Sequence, residues 1–124
     1  MLESVKDKQD FTLYGTDYST DDGTCVRDYI HVEDLALAHI LAVDPSIPSD
    51  IYNLGTNVGN SNLAVVQLAA QITTADIAML HGPKREGDPA ILTADPGKFM
   101  GVSTWQPKFN LEDIIIHAWA WYNK

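Results

Sequence analysis

Arginine occurs twice in this chain, as Arg27 in CVRDYIHV and as Arg85 in KREGDP, and both stand at element boundaries. A guanidinium presents a planar fork of donors that matches phosphate oxygens two at a time, and it stays charged at every relevant pH. Two of them, converging from distant parts of the sequence, make a pyrophosphate clamp. The competing reading is an ordinary ion pair for each, Arg27 with Asp28 or Asp34 and Arg85 with Glu86 or Asp88. Asp88 lies between Gly87 and Pro89, so its backbone is pre-set and its carboxylate is suited to accept from ribose hydroxyls, or simply to close a turn. Tyr14 ends FTLYG with a ring that can stack on a base or edge a core.

Other reactive residue types carry less. No pair among His31, His39, His81 and His117 has metal-ligand spacing, so zinc is not expected. His31, between Ile30 and Val32, reads as a structural histidine. Cys25 is the lone cysteine, which excludes an internal disulfide and suits a reducing compartment; it reads as a small packing residue. Asp17, Asp21 and Asp22 near Gly23 lack the closing glutamate of a calcium loop and read as a solvated turn. GTNVGN, from Gly55, has the strand-to-helix layout of a phosphate loop but matches neither the dinucleotide fingerprint nor a P-loop, and an ordinary turn is expected. No nucleophile elbow, paired-cysteine motif or Tyr-x-x-x-Lys occurs. On chemistry alone the chain assigns no catalytic residue.

The elements that must position these side chains follow from periodicity. MLESVKDKQD, residues 1–10, reads as an exposed tail, and 11–124 as one domain. FTLYG and CVRDYIHV read as strands. From Glu33 the period becomes helical, with acidic residues in the first turn, until Pro45 and Pro48 stop it. IYNLG, apolar on both faces, reads as a strand from the middle of a sheet covered on both sides. Ser61 or Asn60 caps a helix with Val65, Leu68, Ala69 and Ile72 on one stripe. IAMLHGP is a third strand candidate and DPGKFMGV a short helix. Asn110 with Asp113 forms a capping-box variant ahead of a helix carrying Leu111, Ile114, Ile115, Ala118 and Trp121 on one face. The expectation is a small mixed α/β domain of about three short strands and three main helices.

Composition narrows the partners. The 124 residues carry a formal net charge of −9 and 45% apolar residues, so the chain reads as globular and repels phosphate backbones and anionic membranes over most of its surface. No apolar run approaches bilayer length, and a cytoplasmic location is expected.

GTCVRDYIHVEDLALAHILAV, YNLGTNVGNSNLAVVQLAAQI and KREGDPAILTAD, in this order and spacing, resemble the C-terminal part of the UDP-glucose 4-epimerase family. That family lies in the extended short-chain dehydrogenase/reductase group of nucleotide-sugar enzymes. The resemblance runs from Phe11 to the end. It implies that Arg27 and Arg85 contact a UDP pyrophosphate and Asp88 the ribose hydroxyls, with Tyr14, Thr12 and Leu13 along the uracil. Tyr29 would help to shape the nucleotide pocket, and Leu92 would line the sugar pocket. His31 and Asp34 would tie strand to helix. The family interconverts UDP-glucose and UDP-galactose by hydride removal to NAD at C4 and return to the other face, which needs a nicotinamide site and an acid/base tyrosine. The glycine-rich NAD turn and the Tyr-x-x-x-Lys pair are not in this sequence. The resemblance therefore implies a truncated or split epimerase, inactive as a lone chain and binding no NAD by itself. An N-terminal half acting in trans, and self-association through an exposed sheet edge, follow as expectations. The alternatives are a non-catalytic UDP-binding or protein-interaction module, or a related UDP-sugar 4-epimerase.

Overall fold

The computed structural model describes residues 1–124. In chain order its elements are α1 (Leu2–Lys6), β1 (Phe11–Tyr14), β2 (Val26–Asp28), α2 (Val32–Ala42), β3 (Gly59–Ser61), α3 (Asn62–Thr73), β4 (Met79–Gly82), β5 (Ile91–Leu92), α4 (Gly97–Val102) and α5 (Leu111–Tyr122). The mixed α/β class is as expected, with α2, α3 and α5 as the main helices. The strands number five rather than about three, because two- and three-residue pairings are too short to carry a period-2 signal.

Each main helix begins at a side-chain cap. The imidazole Nδ1 of His31 accepts the Glu33 amide at 3.0 Å, opening α2. Ser61 Oγ accepts from the Ala64 amide, opening α3. Asn110 and Asp113 exchange side-chain-to-amide bonds at 2.9 and 3.0 Å, a complete capping box for α5. The aspartate loop supports the same framework. Asp22 accepts from the Thr24 amide and hydroxyl, at 2.9 and 2.8 Å, and from the Ser61 hydroxyl. Burial alone would raise its pKa, but these bonds outweigh that and leave it below the ordinary carboxylate range. No group of three or more metal-ligating side chains occurs.

β1 and β4 pair in parallel, while β2 lies between an antiparallel β3 and a parallel β5. There are two small cores. Ala38, Phe99 and Trp105 form one, with Tyr52 and Leu54 against it; Val65, Ala69 and Ile115 form the other, with Leu68, Ile72 and Leu111. The stripe predicted for α3 is therefore its buried face. Asp34 is a buried brace: its carboxylate accepts the amides of Lys108 and Phe109, and its carbonyl accepts Trp105 Nε1 at 2.8 Å. His31 is also buried, and its Nε2 lies 3.0 Å from His117 Nδ1 on α5. With Nδ1 committed as an acceptor, Nε2 carries the proton toward His117. Both residues thus tie elements together, as the resemblance implied.

Four expectations are corrected. CVRDYIHV is a strand only over Val26–Asp28, since its last residues turn to cap α2. IYNLG pairs with nothing: residues 51–54 lie outside every sheet, with Ile51 84% exposed. A strand needs a neighbour to complete its ladder, and none in this chain reaches that segment. The first ten residues are not all tail, because Met1 and Leu2 pack against the Val65, Ala69 and Ile115 core. Trp121 is 71% exposed, because the packed side of α5 runs through Ile115, Ala118, Trp119 and Tyr122 and Trp121 lies off it. No helix is long and apolar enough to cross a membrane.

Candidate functional site

Backbone pairing brings the two arginine segments together. In the β1–β4 register Tyr14 lies opposite Gly82, and a Cβ on Gly82 would sit 2.7 Å from the Tyr14 ring. The missing side chain lets that ring lie over the strand. Pro83 then turns the chain, and the Arg85 guanidinium stacks on the Tyr14 ring at 4.3 Å. Lys84 fastens the turn: its Nζ donates to the Asp17 carbonyl at 2.6 Å and pairs with the Asp17 carboxylate at 3.3 Å.

Arg27 projects from β2 toward the same turn. Its Nη1 donates to the carbonyls of Val26 and Pro89 at 2.8 and 2.9 Å, and its Nη2 meets Asp88 Oδ1 at 3.4 Å. None of the short-range ion pairs weighed above forms. Arg27 pairs with Asp88, and Arg85 has no carboxylate in salt-bridge range.

A cleft of about 460 Å³ collects Thr12, Leu13, Tyr14, Tyr29, Arg85 and Asp88. Six of the eight residues singled out from the sequence therefore line one surface. Val65, Val66 and Asn62 of α3 form its other wall. Sequence reasoning assigned Val65 to the core and gave Asn62 no role, because the sequence does not show which helix flank faces a cleft. Leu92 is separate: it lines a second cleft of about 430 Å³ with Arg27, Asp28 and Asn53. Arg27 links the two, lining the second and pairing through its guanidinium with Asp88 of the first. Burial raises the Tyr29 phenol above its ordinary value against the opposing charge of Arg27, so Tyr29 is a neutral hydroxyl that donates to Asn62 Oδ1 at 3.0 Å.

GTNVGN does bind an anion, and the anion is Asp28. Its carboxylate accepts the amides of Thr56 and Asn57 at 3.0 Å, the Ala94 amide at 3.2 Å and the Thr56 hydroxyl at 2.5 Å. Burial raises the Asp28 pKa, but these bonds, led by the Thr56 hydroxyl, win and hold it below the ordinary range.

Known proteins match this fold and this sequence together. The profile described as the NAD dependent epimerase/dehydratase family matches residues 1–55. A UDP-glucose 4-epimerase from Lactobacillus helveticus is 48% identical over 116 residues, covering 90% of this chain and 35% of that protein. One from Lacticaseibacillus casei is 43% identical over 114 residues, with 89% and 34% covered. The crystal structure of UDP-glucose 4-epimerase from Bifidobacterium longum in complex with NAD+ and UDP superposes with a TM-score of 0.89 at 34% identity, over 98% of this chain and 38% of that one. In sequence and in fold the chain resembles the C-terminal portion of NAD-dependent epimerases. Its fold is that of the C-terminal portion of these enzymes, and it spans about a third of the length of the curated relatives it matches. NAD is a ligand of the family. The GTNVGN loop does not fit its phosphates. The one loop with a phosphate-binding layout has its amides filled by Asp28, and a Cβ at Gly55 would lie 2.5 Å from that carboxylate, leaving no space for a dinucleotide phosphate.

Proposed function

We propose that this chain is the UDP-sugar-binding part of a UDP-glucose 4-epimerase that serves galactose metabolism. NAD and the acid/base residues would come from an N-terminal half in trans. Arg27 and Arg85 grip the pyrophosphate, Asp88 accepts from the ribose, and Tyr14, Thr12 and Leu13 flank the uracil. Tyr29 shapes the pocket, and the sugar extends past Arg27 toward Leu92. The observation that supports this reading is the single cleft gathering Thr12, Leu13, Tyr14, Tyr29, Arg85 and Asp88, with Arg27 on its rim through Asp88. Calorimetric titration with UDP tests it. Binding is expected, and Arg85→Ala should weaken it about tenfold, the equivalent of one charge-assisted hydrogen bond, while leaving uridine binding unchanged. Absence of heat at millimolar UDP would overturn the reading.

Apolar side chains remain on the surface at Val32, Ile40, Val43 and Ile51, and unpaired edges flank both sheets. Such surfaces promote self-association. Sedimentation velocity should therefore give a dimer or larger species, and adding an NAD-binding half should convert it to a one-to-one complex with UDP-galactose turnover. A monomer indifferent to that half would count against both proposals.

A further inference from the structure

We propose that Asn62 selects the nucleobase, favouring one with a carbonyl rather than an amino group on the edge remote from the ribose; this rests on the nucleotide reading of the cleft. Asn62 is the first residue of α3, but Ser61 caps that helix, so the carboxamide is free for another task. Its Oδ1 accepts from the Tyr29 hydroxyl at 3.0 Å. Tyr29 is neutral and its proton is committed to that bond. In this arrangement Oδ1 faces Tyr29 and Nδ2 is turned away from it. Nδ2 has no acceptor within the chain, although the residue is only partly exposed and lines the cleft.

The surroundings define what would pair with it. Val65 and Val66 continue the same wall along α3, and Leu13 contributes apolar surface. A flat heterocycle fits between apolar side chains, and an N–H donor set beside Val65 and Val66 calls for an acceptor oxygen. Uracil offers a carbonyl at C4. Cytosine offers an amino group there, which would set donor against donor and leave both unpaired. Sites that donate to a ligand oxygen reject the analogue lacking it far more strongly than an apolar slot rejects a shape change.

Titration of the chain with UDP and CDP decides the matter. The wild type should bind UDP at least tenfold more tightly than CDP. Asn62→Leu should weaken UDP about three- to tenfold, the share of one neutral hydrogen bond, and bring the two ligands close to parity. Asn62→Asp is nearly isosteric, keeps an oxygen for Tyr29 and places negative charge in the first turn of a helix, where it is tolerated. It should reverse the order, with CDP now tighter. An unchanged UDP-to-CDP ratio in both variants overturns the assignment while leaving the cleft as the nucleotide site. Failure of the wild type to bind either nucleotide overturns both readings.

Discussion

A chain carrying Arg27→Ala is expected to bind UDP about a hundredfold more weakly than the wild type. Two losses combine. In the proposed clamp the guanidinium would supply a charge-assisted contact to phosphate, worth about 1.5–3 kcal/mol, which alone is roughly 10- to 150-fold. The same group holds Asp88 at 3.4 Å and the Pro89 carbonyl at 2.9 Å, so its removal also releases the turn that carries Asp88, the proposed ribose acceptor. Arg27→Lys keeps the charge but not the fork, and should recover only part of the loss. Because the Arg27 head is partly exposed, Arg27→Ala should unfold at nearly the wild-type urea midpoint. Calorimetry and urea unfolding on the same preparations separate the two effects, and affinity within twofold of wild type would refute the clamp.

Asp28→Ala should act on stability instead, at a cost of about 2–4 kcal/mol. It leaves the amides of Thr56, Asn57 and Ala94 without their acceptor, and each orphaned donor costs about 1–3 kcal/mol, reduced here where water can enter. The urea midpoint should fall with little change in slope. pH provides an independent check. The folded pKa of Asp28 lies below its unfolded value of about 3.9, so its contribution is complete above that value. It is lost as pH falls through the unfolded value toward the folded one. The wild type should thus lose stability below about pH 4, and Asp28→Asn should lose less over the same interval. An acid limb of equal steepness in the two proteins would exclude Asp28 as a major contributor.

What was legible in the sequence was what is local. Ser61, His31 and the Asn110–Asp113 box announce helix starts because a cap and its amide lie within three residues. Arg85, Asp88 and Tyr14 stand out by their chemistry, and their proposed roles come from the resemblance. Long-range partners were not legible. Nothing near Asp28 announces that Thr56 and Ala94 will deliver amides to it, and Arg27 has carboxylates close by in sequence although its partner is the distant Asp88. Asn62 was invisible because its proposed role depends on Tyr29, in direct contact in space but remote in sequence. IYNLG has strand-like residues, but a strand is defined by the backbone beside it.

That unpaired segment has a thermodynamic consequence. The amides of Tyr52, Asn53 and Leu54 find no acceptor in the chain, while Tyr52 and Leu54 anchor the strip on the Phe99 and Trp105 core. Any strand that completes this ladder binds the folded state and not the unfolded one, so it adds RT ln(1 + [L]/Kd) to the free energy of unfolding. The melting temperature is then a function of mass action, rising with the concentration of whatever lies alongside Ile51–Leu54.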